Sequence, residues 1–174
     1  MRGLMMETPL SIISLIDYAA RYHREVEIVS STEAGTRHRY TYRDAFARIG
    51  RLAHALEKLG VGVGDRVATL AWNGYRHFEL YYAISGIGAV CHTVNPRLFK
   101  EQIAYILNHA EDRIVFVDAG FVPLLDSLAP SLTHAKVFVV MADRAAMPQS
   151  GLQEALCYEE LIAGEAETFP WPIL

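Results

Sequence analysis

Arg97 is the residue whose type and position most clearly suggest chemistry in this sequence of 174 residues. It follows the apolar segment VCHTV and precedes a helical pattern that begins at Phe99. A guanidinium at such a junction adds its charge to free backbone N–H groups and to the positive end of the helix dipole. This combination favours an anion, and phosphate in particular. The alternative is an arginine that only caps or braces the loop.

Polar residues and glycines follow each apolar segment, at residues 72–74, 95–97, 118–120 and 143–144. If the apolar segments are parallel strands, these positions meet at one edge of a sheet. Ligands of doubly wound sheets bind outside the carboxyl ends of the strands. The sequence therefore indicates a binding site at this edge, with Arg97 as the candidate anion ligand and a loop-bracing arginine as the alternative.

Other reactive or aromatic side chains are better interpreted as packing. His92 and Cys91 are adjacent on a predicted strand, so their side chains point to opposite faces and cannot form a catalytic pair. We expect Cys91 to be a small buried residue and His92 a core histidine with a satisfied hydrogen bond. Trp72 and the pair Tyr81 and Tyr82 are also expected to pack.

Sequence motifs that would mark a complete active site are missing. There is no GxxxxGK[ST], HExxH or GxSxG pattern, and the seven histidines show no ligand spacing. Gly60, Gly62 and Gly64 precede a strand, whereas a dinucleotide-binding loop must follow one. We interpret them as a helix stop and a surface loop. Cys91 and Cys157 are too isolated to predict a disulfide framework or a CxxC metal site.

The spacing of apolar segments predicts the elements that would position these residues. Strands are expected to begin at Arg66, Val90, Arg113 and Lys136, with helices at residues 75–87, 99–110 and 121–128. Alternation of strand and helix gives right-handed crossovers and a parallel sheet. The predicted fold class is α/β, a mostly parallel doubly wound sheet with helices on both faces, preceded by an N-terminal helix and a short strand pair.

Local signals place the ends of several elements. Thr8 and Pro9 are expected to start a helix over residues 9–22, and strands are expected at residues 26–30 and 37–42. Thr41 and Asp44 resemble a capping box, and Gly60 is expected to end the helix that follows. Residues 142–174 are expected to form a partly irregular C-terminal extension of a single domain over residues 1–174, with a short helix at residues 156–163.

Composition excludes several classes of protein. Apolar residues make up 52% of the chain and charged residues 21%, which is typical of a globular domain and not of a disordered one. The net charge of −4 without a basic cluster argues against nucleic acid as a partner. No signal peptide or transmembrane segment is predicted, so we expect a cytoplasmic protein.

Residues from Tyr40 to Asp118 carry a family resemblance. The segments GVGVGDRVATLAWN, SGIGAV, HTVNPRL and ILNHAEDRIVFVD resemble the N-terminal region of the adenylate-forming acyl-CoA synthetases. The similarity is greatest to the medium- and long-chain fatty acyl-CoA ligases. It implies that a fatty acid is activated by ATP and Mg²⁺ to an acyl-adenylate and transferred to coenzyme A. It also implies that Arg97, in the NPRL segment, contacts the phosphates of coenzyme A.

The family's YTSGTTGxPKG loop and its later ATP-site and catalytic residues are not in this sequence. The resemblance therefore implies an N-terminal fragment whose main partner is the rest of its own polypeptide. By itself the chain is expected to be inactive, with no catalytic or metal-binding residue and no tightly bound cofactor. A homodimer is also compatible, since the N-terminal domain forms the dimer contact in some family members. Two alternatives stay open, a stand-alone flavodoxin-like nucleotide-binding module and a dimerisation or interaction domain.

Overall fold

A computed structural model describes residues 8–32, 35–152 and 154–173 of the chain. Within them lie a two-stranded antiparallel hairpin, a five-stranded parallel sheet and six α-helices. The helices are α1 (Ile13–Tyr22), α2 (Tyr42–Lys58), α3 (Tyr75–Gly86), α4 (Lys100–His109), α5 (Val122–Leu128) and α6 (Tyr158–Ile162). The strands are β1 (Glu27–Ser31), β2 (Arg37–Thr41), β3 (Arg66–Leu70), β4 (Val90–Thr93), β5 (Ile114–Val117), β6 (Val137–Val140) and β7 (Leu156–Cys157).

The parallel sheet has the strand order β4-β3-β5-β6-β7. The chain passes from β3 to one neighbour, β4, and then crosses back to the other neighbour, β5. The loops after β3 and β5 therefore leave the sheet in different directions, and this divergence is the topological switch point of a doubly wound fold. The predicted fold class is confirmed.

Two apolar cores lie on opposite faces of the sheet, because successive residues on a strand point to opposite sides. Ile114 and Phe116 of β5 pack into the core under α1, α2, α3 and α6. Val115 and Val117 pack into the core under α4 and α5. The strands are apolar on both sides for this reason, as covered parallel strands must be.

The start of α2 follows the predicted capping box. The Asp44 N–H donates to Thr41 Oγ1 at 3.2 Å, and the Thr41 N–H donates to Asp44 Oδ2 at 3.0 Å. The predicted stop is also confirmed, since the helix ends at Lys58 and Gly60 adopts a φ of +77°. Aspartate can therefore replace the usual glutamate of this motif.

Three local predictions are wrong. The first helix begins at Ile13 and not at Pro9, and Thr8 does not cap it. Leu10 is 95% exposed, so no packing holds residues 9–12 in a helical turn. The segment predicted as a helix from residue 156 begins as β7, which pairs with β6 before α6 starts. Cys91 is only half-buried, because β4 is the edge strand of the sheet.

The segment before the C-terminal end of the described chain packs directly on α2 and α3. The backbone of Glu167 passes so close to Gly50 that a Cβ there would overlap its carbonyl oxygen. A Cβ on Gly86 would lie 2.6 Å from the ring of Trp171. Both glycines are therefore required by close approach, which is one reason for a glycine within a helix.

We expect Gly50→Ala to destabilise the chain by about 1–3 kcal/mol, the usual cost of overpacking. The sign of the change in stability is informative, because a glycine-to-alanine substitution within an open helix raises the free energy of unfolding by about 1 kcal/mol. Urea unfolding followed by circular dichroism measures the change. Gly62→Ala is the control, since its Cβ would meet nothing closer than 3.8 Å. A Gly50→Ala variant as stable as the wild type would contradict the packing of residues 165–173 described above.

Candidate functional site

An open cleft with a volume of about 610 Å³ lies at the carboxyl edge of the parallel sheet. Its floor consists of residues that follow β3, β5 and β6, among them Trp72, Asn73, Asp118 and Asp143. One wall is the β1–β2 hairpin. The sequence prediction that the strand ends meet at one edge is thus confirmed, because all these strands are parallel, but only three of the four segments line the cleft. The fourth, which contains Arg97, lies beside the cleft.

Arg97 occupies an exposed turn between β4 and α4. Its N–H donates to Asn95 Oδ1 at 2.9 Å, which fixes the backbone of the turn. Helix α4 begins only at Lys100, so Arg97 lies before the first turn of the helix and not within it. The geometry therefore supports a guanidinium at the sheet edge, but not the predicted addition of the helix dipole to it.

The guanidinium of Arg97 lies over the indole of Trp72, with its central carbon 5.5 Å from the ring centroid. Among the described residues, no carboxylate lies within ion-pairing distance of this guanidinium. Its positive charge is thus available to a ligand at the sheet edge. Trp72 is 44% exposed, which does not fit the prediction that this residue only packs.

The backbone of Trp72 bridges the switch point of the sheet. Its N–H donates to Asp118 Oδ2 at 2.7 Å, which joins the loop after β3 to the loop after β5. Its carbonyl oxygen lies 3.0 Å from His77 Nδ1, and its ring packs on Phe121 with centroids 5.1 Å apart. Trp72 is therefore held by His77 of α3 and by two residues that follow β5, Asp118 and Phe121.

His77 is buried and neutral. Nδ1 must carry the proton, because the Trp72 carbonyl can only accept, and Nε2 then accepts from the Thr69 hydroxyl at 2.9 Å. Burial lowers the pKa of His77, although the bond to the Trp72 carbonyl acts in the opposite direction. Tyr81 stacks on this imidazole with centroids 4.7 Å apart, and 38% of Tyr81 is exposed.

His92 makes the predicted hydrogen bond, but it is only half-buried, because β4 is the edge strand. Its Nδ1 lies 2.6 Å from Asp112 Oδ2, and the carboxylate is fully buried. Burial raises the pKa of Asp112, and the bond to His92 opposes this effect. The pair lies away from the residues that line the cleft and contributes to packing of the sheet.

A charged network beneath the cleft was not predicted from the sequence. Arg48 on α2 donates two hydrogen bonds to the fully buried Glu79 on α3, at 2.7 and 3.2 Å. It donates two more to Glu159 on α6, at 2.9 and 3.0 Å. The Tyr158 hydroxyl donates to Glu79 Oε2 at 2.6 Å. One guanidinium therefore ties three helices together.

Arg76 extends the network to the floor of the cleft. Its guanidinium donates to Glu159 Oε1 and to Asp143 Oδ1, each at 2.7 Å, and to the Met141 carbonyl at 3.1 Å. It also lies 4.7 Å from the centroid of the Tyr75 ring. The positive charge of Arg76 is neutralised by these carboxylates, so Arg76 is a less suitable anion ligand than Arg97. The only signal in the sequence was a glutamate at position 79 among apolar neighbours.

The described residues do not contain a group of three His, Cys, Asp or Glu side chains that could hold a metal ion. None of the helices among them is long and apolar enough to span a bilayer. What the sheet edge offers at the switch point is an exposed indole with the guanidinium of Arg97 over it. This arrangement can bind and orient an anion.

Comparison with known proteins identifies relatives of this chain. The family model described as AMP-binding enzyme matches residues 16–167. A 3-methylmercaptopropionyl-CoA ligase of Ruegeria lacuscaerulensis is 49% identical over 173 residues, covering 99% of this chain and 32% of the relative. A medium-chain-fatty-acid–CoA ligase of Ectopseudomonas oleovorans is 44% identical over 172 residues, with the same two coverages. The chain thus spans about a third of the length of these relatives.

A solved structure of an anthranilate CoA ligase in complex with anthranoyl-AMP matches the fold with a TM-score of 0.85. The match covers 99% of this chain and 32% of that chain at 19% sequence identity. The likeness shows that the two chains share the fold of this region.

We expect Glu159→Gln to lower the free energy of unfolding by about 2–3 kcal/mol at pH 7, since it removes the charge that Arg48 and Arg76 share. Burial opposes ionisation of Glu159, but the two guanidinium groups outweigh it and hold its pKa below the ordinary 4.5. A depressed pKa in the folded state contributes stability above that value, and the contribution is lost as the pH falls.

Urea unfolding of the wild type and Glu159→Gln between pH 7 and pH 3 measures this effect. The difference in stability should shrink as the pH falls below about 4.5. Glu154→Gln, at an exposed carboxylate outside the helices and without an ion pair among the described residues, is the control and should match the wild type throughout. A difference between wild type and Glu159→Gln that does not change with pH would show that Glu159 acts by shape and not by charge.

Proposed function

The chain belongs to the AMP-binding enzyme family, and from this premise we propose that it forms the N-terminal third of an AMP-forming acyl-CoA ligase. Two lines of observation support the proposal. Both curated relatives described above are CoA ligases and match nearly the whole chain. The carboxyl edge of the sheet also presents a guanidinium that suits the phosphates of coenzyme A.

The proposed reaction has two steps. The carboxylate of the acid attacks the α-phosphorus of ATP, forming an acyl-adenylate and releasing pyrophosphate. The thiolate of coenzyme A then attacks the acyl carbon, and AMP leaves as the thioester forms. The first step makes a good leaving group, and the second retains its energy in the thioester bond.

The part of this chain in that reaction is to bind coenzyme A and not to perform the chemistry. The described residues offer no carboxylate cluster for Mg²⁺, and the sequence carries no glycine-rich loop for the phosphates of ATP. The ATP-binding and catalytic groups are therefore proposed to lie in the remaining two-thirds of the ligase. This division is the reason that we expect the chain to be inactive by itself.

Arg97 is proposed to contact the phosphates of coenzyme A. The single observation that carries this assignment is its guanidinium, which lies at the sheet edge over Trp72 without a carboxylate partner among the described residues. Arginine suits this task because its planar group donates two parallel hydrogen bonds to phosphate. The exposed turn leaves room for a large ligand.

For the acyl substrate we propose a medium- or long-chain fatty acid. The medium-chain ligase of Ectopseudomonas oleovorans supports this choice. A second candidate is 3-methylmercaptopropionate, favoured by the higher identity to the Ruegeria lacuscaerulensis ligase. Both are carboxylic acids that the same two steps would activate. Assays of the full-length ligase with both acids distinguish the candidates.

The flavodoxin-like alternative is less well supported. The strand order β4-β3-β5-β6-β7 does agree with it. However, the loop after β3 contains Trp72, whose backbone N–H already donates to Asp118. That N–H is therefore not available to a phosphate. The third alternative, a dimerisation domain, has no observation in its favour.

In the full-length ligase, we expect Arg97→Ala to raise the KM for coenzyme A by about 10-fold to 100-fold, the loss of a charge-assisted hydrogen bond. Acid-dependent exchange between ATP and pyrophosphate should stay within about twofold, because the first step does not use coenzyme A. Arg21→Ala, on the exposed side of α1, is the matched control. Equal damage to both steps would refute the coenzyme A assignment and indicate a structural role for Arg97.

A further inference from the structure

The side chain of Arg97 has several rotatable bonds, and the exposed turn that carries it fixes only its backbone. A flexible guanidinium loses conformational entropy when it binds a ligand, which weakens binding. The contact that the structure gives this guanidinium is the face of the Trp72 indole, 5.5 Å from its central carbon. A cation over an aromatic face is attracted by the ring quadrupole, and tryptophan is the strongest partner.

Trp72 is itself held in place by groups on β3, on α3 and in the segment after β5. The Asp118 carboxylate accepts its N–H at 2.7 Å, and the N–H of neutral His77 donates to its carbonyl at 3.0 Å. His77 in turn accepts from the fully buried Thr69 on β3. Phe121 packs against one side of the indole. The backbone that carries the indole is therefore set by the sheet and not by the exposed turn, and the ring itself packs on Phe121.

From these contacts we propose that Trp72 is a positioning residue whose indole holds the Arg97 guanidinium ready for a phosphate group at the carboxyl edge of the sheet. This inference rests on the proposed function, because it assigns the phosphate to coenzyme A. It gives a reason why the backbone that carries a nearly half-exposed indole is held by hydrogen bonds at both its N–H and its carbonyl. It also assigns His77 and Asp118 a purpose, since they hold the backbone from which the indole extends.

The first test needs no ligand. In the isotope-labelled 174-residue chain, the Nε–H of wild-type Arg97 should show an upfield ring-current shift and restricted motion in nuclear magnetic resonance spectra. Trp72→Phe keeps an aromatic face and should retain both the upfield shift and the restricted motion. Trp72→Leu keeps apolar bulk without a ring and should lose both. An Arg97 side chain equally mobile in all three proteins would overturn the positioning role, whatever the ligand is.

The second test is a double-mutant cycle on binding. In the full-length ligase, titration with coenzyme A should give an affinity about 3-fold to 10-fold weaker for Trp72→Leu and nearly unchanged for Trp72→Phe. In the Arg97→Ala background, Trp72→Leu should have no further effect, because Trp72 acts through Arg97. A further loss in that background would show that Trp72 contacts the ligand itself, and it would overturn the inference.

The outcomes separate the inference from the proposed function. If Arg97→Ala weakens binding but Trp72→Leu does not, the positioning role is wrong while the coenzyme A assignment survives. If Arg97→Ala binds coenzyme A as the wild type does, the assignment of the phosphate to Arg97 is wrong. The spectra of the free chain then still decide whether Trp72 orders the guanidinium. 3′-Dephospho-coenzyme A shows which phosphate is bound, since the Arg97→Ala effect should vanish if it is the 3′-phosphate.

Discussion

The parallel register of β3 against β5 is the constraint from which the candidate site follows. Thr69 pairs with Phe116 and Leu70 with Val117, so the two strands end at the same level. The loops after them diverge because the next elements lie on opposite faces of the sheet. The hydrogen bond from the Trp72 N–H to Asp118 spans this divergence. The cleft, the indole and the guanidinium above it all depend on that alignment.

The charged network beneath the cleft stabilises the same edge from below. Burial of Glu79 is unfavourable unless its charge is paired, and Arg48 with Tyr158 supplies the partners. Because Arg48 also binds Glu159, the C-terminal helix α6 is tied to α2 and α3. The floor of the cleft is thereby connected to distant parts of the chain. Removal of Arg48 would leave the buried Glu79 carboxylate without an opposite charge among the described residues.

Much of the fold could be predicted because its signals are local. The strand starts at Arg66 and Val90, the capping box of Thr41 and the stop at Gly60 all depend on neighbouring residues. The start of α1 could not be predicted, because Leu10 has no surface to pack against. β7 is two residues long and forms only through its pairing with β6. Such elements depend on contacts between distant segments, which a pattern in one segment does not contain.

The candidate site was predictable to a similar extent. Arg97 was identified from its place after a strand, whereas its contact with Trp72 required the fold, because 25 positions separate the two residues. The buried network was missed for the same reason, since Arg48 and Glu159 lie 111 positions apart. A tryptophan directly after a predicted strand is a signal in the sequence that could have drawn attention to Trp72.

The central claim is that the sheet edge at Arg97 binds a phosphate group. A crystal structure of the chain with adenosine 3′,5′-bisphosphate, which carries phosphates on the same nucleoside as coenzyme A, tests it most directly. The account predicts a phosphate within hydrogen-bond distance of the Arg97 guanidinium, with that guanidinium still over the Trp72 indole. A phosphate bound at Arg76, or an Arg97 that leaves the indole, would contradict the account.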